Sequence, residues 1–130
     1  MQAHIIITSI HAHADESEGS VDVVKVRLDI TLERFSRDDR ECEYKFRVQV
    51  LAGVGEIDMA GVLYLRAETE DELKELSRMA IESKKEMIPD QVIHTVMLLV
   101  TPLLTHIEKE MGIPITPLTP APREKSLMYQ

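Results

Sequence analysis

The sequence predicts an α+β domain in which a four-stranded antiparallel sheet is followed by two helices, the second long and bent near Pro102. Three observations carry this. Two successive segments alternate apolar and polar residues with a period of two, as strands with one buried and one wet face do. Glycines and a polar turn separate the strand segments, with no helical segment between them. From Glu68 onward the apolar spacing changes to the three-to-four residue period of amphipathic helices.

Each element follows in order. Ala3–Ala14 is apolar and β-branched early on and reads as a first strand. Val24, Val26, Leu28, Ile30 and Leu32 alternate with Lys25, Arg27, Asp29, Thr31 and Glu33. After the turn Ser36-Arg-Asp-Asp-Arg40, Cys42, Tyr44, Phe46, Val48 and Val50 alternate with Glu41, Glu43, Lys45, Arg47 and Gln49. Ala52-Gly-Val-Gly55 supplies a tight reversal into a fourth strand, Glu56–Arg66, with Ile57, Met59, Leu63 and Leu65 on one face. Its other face is mixed, because Val62 and Tyr64 stand beside Asp58.

Thr69-Glu-Asp-Glu72 fits a capping box, and its acids suit the positive end of a helix dipole. Leu73, Leu76, Ala80 and Met87 mark the stripe this first helix is expected to bury, and Lys84-Lys85 suit its C-terminal end. Pro89 is placed to start the second helix. Ile93, Val96, Met97, Val100, Leu103, Leu104, Ile107 and Met111 continue it, and Gly112 is the expected stop. Pro102 removes one helical hydrogen bond and crowds the preceding turn, so a bend or restart is expected at Thr101-Pro102. Residues 96–100, Val-Met-Leu-Leu-Val, are apolar all round. Two helices share one face of one small sheet, so the surplus apolar surface points to a subunit interface or a binding groove.

Composition narrows the function. At 130 residues and 44% hydrophobic content the chain suits one domain, residues 1–120, with 121–130 as a C-terminal tail. The net charge of −8 is spread evenly, with twelve acids and eight bases in residues 1–66 and eleven and seven in 67–130. Nucleic acid is not an expected partner, since phosphate binding needs clustered bases. The single Cys42 has no partner for an internal disulfide, and the opening MQAHIIITSI lacks the basic region of a secretory signal. Val92–Leu104, interrupted by His94 and Pro102, is shorter than the ~20 residues of a membrane span. A cytoplasmic protein with no membrane contact is expected.

Catalytic signals are scarce. His11 and His13 share a strand face and lie near Asp15 and Glu16, but an exposed strand end explains so short a pair better than a metal centre. His94 and His106, twelve residues apart, sit ~120° apart around a helix and do not converge. Ala52-Gly-Val-Gly55 leads into a strand rather than a helix, so it is no phosphate loop. Cys42 lies on the apolar face of its strand and reads as buried and inert. No enzyme, cofactor or metal is expected.

The stretch from Thr101 to Pro120 resembles the C-terminal signature of the SecB family of export chaperones, through Pro102, Gly112, Pro114, Leu118 and Pro120 in order. Tyr44–Val50 followed by Val54-Gly-Glu56 resembles the family's strand and hairpin, and the β-β-β-β-then-helix order agrees. The Val-Asn-Phe that ends the family pattern is replaced here by Ala121-Pro-Arg-Glu, and aromatics are only 4% of the chain. The resemblance implies a homotetramer, a dimer of dimers, that holds unfolded polypeptides in apolar grooves and meets a translocation motor through an acidic sheet surface. Glu56 matches the acidic hairpin position and is the residue it implies for partner contact. Ile93, Met97, Val100 and Leu104 are the expected client or interface residues. The expectation is therefore a holding chaperone acting as a dimer or tetramer. The alternative is a structural or regulatory subunit whose apolar helix docks on one defined protein. Ile113, Ile115 and Leu118 are expected to anchor the proline-rich stretch against the body of the protein.

Overall fold

The computed structural model describes residues 1–14, 25–52 and 55–111. The strands are β1 (Gln2–Ala14), β2 (Lys25–Ser36), β3 (Glu41–Ala52) and β4 (Gly55–Arg66), and the helices are α1 (Glu70–Lys84) and α2 (Asp90–Met111). The strands form one sheet in the order β1-β4-β3-β2, with every neighbouring pair antiparallel. The α+β architecture is thus the expected one. Periodicity carries no strand order, and the sheet places β1 and β2, consecutive in sequence, at opposite edges.

The alternation seen in the sequence becomes a two-faced sheet. Cys42, Tyr44, Phe46, Val48 and Val50 of β3 stand in register with Leu65, Leu63, Gly61, Met59 and Ile57 of β4, and all of them point into the core. Two bulges shift this pattern. One lies between Leu32 and Arg34 on β2, the other between Ile7 and Ser9 on β1. An extra residue in a strand flips every side chain beyond it to the other face. Beyond the β2 bulge, Phe35 pairs with Cys42 on the core side and Arg34 with Glu43 on the outer side.

Both helices cover the core face, α1 over β2 and β3 and α2 over β1. At the start of α1 the Thr69 hydroxyl accepts the Glu72 N–H (3.2 Å), and the Glu72 carboxylate accepts the Glu68 N–H (2.8 Å). The expected cap is present, with its return bond one residue further back. Leu73, Leu76, Met79 and Ala80 are buried. Met87, expected in the same stripe, is 67% exposed because α1 has already ended at Lys84. Buried Ser83 donates to the Met79 carbonyl (2.7 Å) and accepts from the Tyr44 hydroxyl (2.9 Å). These bonds satisfy the polar groups on this part of the interface. Burial pushes the Tyr44 phenol up to about 12.

The helix ends in a reversal that needs a left-handed residue. Glu86 has φ 62°, its N–H bonds the Ser83 carbonyl (3.1 Å), and the Met87 N–H bonds the Glu82 carbonyl (3.2 Å). This is the Schellman arrangement, in which glycine is the favoured residue because it has no Cβ to crowd the carbonyl. Glu86→Gly is expected to raise stability by about 1 kcal/mol, read as a higher urea midpoint at unchanged slope. A lowered midpoint would mean that the Glu86 side chain holds the turn.

Pro89 precedes α2, and its carbonyl accepts the Val92 and Ile93 N–H groups (3.0 and 3.3 Å). It therefore stands one position before the helix rather than at its first residue. α2 then runs through Pro102 to Met111 without a break. Leu98, four residues before the proline, is 60% exposed, so the carbonyl that loses its helical partner lies on the solvent side. At 22 residues α2 is long and apolar enough to cross a bilayer by length and composition, contrary to the sequence reading. In this fold Val92, Val96, Met97, Val100 and Leu104 bury that apolar character beneath the helix. The expected stop at Gly112, the proline-rich stretch with its anchors and the tail lie outside the described residues.

Candidate functional site

Two helices do not cover the whole core face. Along β2 the inward residues Ile30, Leu32 and Phe35 stay only half-buried, whereas Leu28 and the inward side chains of β3 are sealed. The uncovered strip and the α1–α2 connection enclose a groove of about 800 Å³. Ile30, Leu32 and Phe35 form one wall, and Ile88 and Ile93 the other. Lys84 and Glu86 from the helix side, and Asp29 and Arg34 from the strand, also line it.

Local sequence explains each wall. The β2 bulge turns Phe35 into the groove while freeing Arg34 to bond Glu43 (3.1 Å) and Asp39 (3.5 Å) on the outer face. The Schellman turn at Glu86 directs Met87 to solvent and brings half-buried Ile88 back over the sheet. β2 pairs only with β3, so its other row of backbone N–H and C=O groups has no strand partner among the described residues. An apolar groove beside an unpaired strand edge is the arrangement in which an extended peptide adds as a further strand and seats alternate side chains in pockets.

The expected contact residues are placed differently. Met97, Val100 and Leu104 are 2%, 0% and 0% exposed, so they belong to the core of the single chain and meet no solvent. Ile93, 7% exposed, is the one of the four that reaches the groove. Among the described residues of α2, the exposed large apolar side chains are Leu98 (60% exposed) and Leu103 (39%). Periodicity shows which residues share a helix face but not how far the sheet extends beneath them. Phe35 and Ile88, which the sequence reading passed over, had a signal. Phe35 breaks the parity of its strand, and Ile88 is an apolar residue in an inter-helix connection.

Glu56 is exposed at the start of β4, in the row Lys25–Leu51–Glu56–His13 across the sheet. The outer face around it is not acidic. Among the described residues Lys25, Arg27, Arg34, Lys45, Arg47 and Arg66 are matched by Asp29, Glu33, Glu41, Glu43, Glu56 and Asp58, so their charges balance. Several of these charges pair directly: Arg47 with Asp58, Lys45 with Glu33 (3.4 Å) and Arg27 with Asp29 (3.3 Å). The Arg47 guanidinium holds the Asp58 carboxyl below its usual range. The excess acid lies in residues 15–24, with Asp15, Glu16, Glu18 and Asp22, and around α1.

The remaining chemical candidates stay apart. His11 and His13 share the outer face of β1, opposite Asp58 and Glu56. Among the described residues no group of three or more His, Cys, Asp or Glu is placed to hold a metal ion, and Asp15 and Glu16 lie outside those residues. Cys42 is fully buried, and its burial pushes the thiol up to about 12, so it is a poor nucleophile.

Comparison with known proteins adds one point about the fold. No protein-family model and no curated protein sequence matches the chain. Among solved structures it is similar to the Mycobacterium tuberculosis Rv1957 SecB-like chaperone, solved with a ChAD peptide from the Rv1956 HigA1 antitoxin. The TM-score is 0.54 at 10% identity, over 90% of this chain and 88% of that one. A protein of unknown function from Streptococcus agalactiae aligns over 92% of this chain and 99% of its own at 12% identity, but with a TM-score of 0.35. The first likeness is one of fold: the sheet and two helices are arranged as in a SecB-like chaperone.

Proposed function

We propose that this chain is a non-enzymatic peptide-binding protein of the holding-chaperone kind, which takes extended apolar segments of unfolded polypeptides along β2. The observation that carries the reading is the apolar groove of about 800 Å³ beside the β2 edge, which has no strand partner among the described residues. Main-chain pairing supplies affinity without regard to sequence, and the groove selects for apolar side chains at alternate positions. The fold supports the reading, since a neighbour with the same arrangement was solved with a bound peptide. A homo-oligomer, dimer or tetramer, is part of the proposal. Glu56 would contribute one polar contact to a partner on the outer face. The charge balance of the outer sheet face among the described residues gives no support to a translocation motor that requires an acidic sheet.

The test is a titration of the full chain with a fluorescent peptide alternating Val or Ile with Ser, together with suppression of aggregation of a chemically unfolded client. Saturable binding below about 100 μM is expected. No binding and no suppression would overturn the reading. A second reading rests on Leu98 and Leu103, whose exposure on α2 fits docking to one defined protein. Leu98→Asp separates the two, because it leaves peptide binding at the groove intact and abolishes docking through α2.

A further inference from the structure

The charges of the β2 edge stand in order. Its outer face carries Lys25 and Arg27, then Asp29, Thr31 and Glu33, so bases lie at its start and acids toward its end. β3, its one strand neighbour among the described residues, leaves much of this charge unanswered. Opposite Lys25 and Arg27 it presents Leu51 and Gln49, neither of them charged. Opposite Asp29 it presents Arg47, whose guanidinium bonds Asp58 on β4 instead (2.9 Å). The ion pairs that do form on this part of the face are Arg27 with Asp29 (3.3 Å) and Lys45 with Glu33 (3.4 Å). All four side chains stay at least 43% exposed. Exposed pairs of this kind are weak and exchange with a better-placed charge.

Charges on an edge strand keep it from pairing with every strand it meets. They also choose among strands, because opposite charges directly across a ladder stabilise it and like charges destabilise it. The groove fixes which side chains of an added segment face inward, beside Ile30 and Leu32. The intervening side chains then stand opposite Arg27, Asp29 and Thr31 on the outer face. In an antiparallel addition the segment begins at the Glu33 end and finishes at the Lys25 end, so its complementary order is basic, then acidic. The bulge ends direct opposition at Leu32, and exposed Glu33 meets the first base from the extra position. The other charges lining the groove add no such bias. Lys84 and Glu86 are opposite in sign, and Arg34 is held by Glu43 (3.1 Å) and Asp39 (3.5 Å).

We propose that the β2 edge reads the order of charge in its ligand. It takes an extended segment whose outward side chains are basic in the N-terminal half and acidic in the C-terminal half, and adds it antiparallel. This rests on the reading of the groove as a peptide site, and sharpens it from apolar alternation to a directional charge pattern. The largest gain comes from the acidic half, because Lys25 and Arg27 face no charge on β3. A segment with the two charges exchanged has two poorer choices. Antiparallel, it sets acids against Asp29 and Glu33 and bases against Lys25 and Arg27. Parallel, it matches only part of the charges, on a ladder that is weaker per residue.

Fluorescence titration of the full chain with three peptides of equal length tests this. One is Lys-Val-Ser-Val-Lys-Val-Glu-Val-Glu, one is its charge-exchanged counterpart Glu-Val-Ser-Val-Glu-Val-Lys-Val-Lys, and one has serine at every outward position. The first is expected to bind about tenfold more tightly than the second, with the neutral peptide between them. In ~1 M salt this spread is expected to close. A spin label on the N-terminus of the first peptide is expected to broaden the amides near Ser36 and spare those near Lys25. Lys25→Glu with Arg27→Glu, both exposed, is expected to abolish the preference for the first peptide over the second. The same variant keeps its circular dichroism and its affinity for the neutral peptide. Equal affinity of the two charged peptides, a preference that survives the double variant, or broadening at the Lys25 end would each overturn the proposal, while binding of the neutral peptide would leave the groove standing. No binding by any of the three would overturn the groove and this inference together.

Discussion

Gly61→Val is expected to cost 3 kcal/mol or more, the largest stability effect of any single change considered. Gly61 sits in β4 between Ile7 of β1 and Phe46 of β3. A Cβ there would lie 2.5 Å from the Ile6 carbonyl oxygen and 2.7 Å from the Phe46 ring. Phe46 is 3% exposed, so its ring has nowhere to swing, and the oxygen belongs to the backbone. Even Gly61→Ala must push β1 away from β4 next to the bulge, an overpacking penalty of about 1–3 kcal/mol, and the branched valine adds to it. Against a typical total of ~5–15 kcal/mol, this lowers the melting temperature by roughly 10 °C or leaves the chain unfolded. Ala60→Val, one residue along on the half-exposed outer face, is expected to change stability by less than about 0.5 kcal/mol. Near-equal melting temperatures for Gly61→Ala and wild type would contradict the account of this packing.

Phe35→Ala is expected to weaken peptide binding by about thirtyfold, or ~2 kcal/mol, with the fold retained. Phe35 is the aromatic ring in the groove wall, held there by the β2 bulge and only half-buried, so its surface is available to a ligand. Aromatic anchors in apolar pockets carry a disproportionate share of binding energy. Truncation also loosens the neighbouring core, so circular dichroism and a melting curve accompany the titration. Ile88→Asp, on the other wall, is expected to reduce binding by a different route, by placing a charge where the peptide would desolvate it. Substitution at Met97 would report on folding rather than on a surface, because that side chain is sealed beneath α2. Unchanged affinity in both Phe35→Ala and Ile88→Asp would remove the groove as the binding site.

The legibility of the fold follows from what alternation encodes. The strands were readable because Leu28, Tyr44, Val48 and Met59 recur at every second position, and the helices because Leu73, Leu76, Val96 and Val100 recur at helical spacing. The cap at Thr69 was readable because its chemistry is local. Strand order, bulge positions and the depth of each helix on the sheet are tertiary outcomes, and no periodicity reports them. The site depends on just these features. Ile93, Met97, Val100 and Leu104 form a true apolar stripe, but the sheet buries it, and the opening lies between the half-buried residues of β2 and the end of α1. Phe35 left a trace in the sequence by standing out of phase with its strand. One unpaired aromatic, without a known bulge, carries too little information to locate a groove. The even spread of acids likewise hid that the outer sheet face is charge-balanced among the described residues, since charge balance per face becomes visible only once faces are assigned.

The central claim is that an extended peptide pairs with the β2 edge above the groove. Amide hydrogen exchange, read residue by residue by NMR with and without the alternating Val-Ser peptide, tests it most directly. The predicted result is strong new protection at alternate amides within residues 25–36, with shifts at Ile88 and Ile93 and little change along β1. Protection confined to α2 around Leu98 and Leu103, with β2 unaltered, would contradict it.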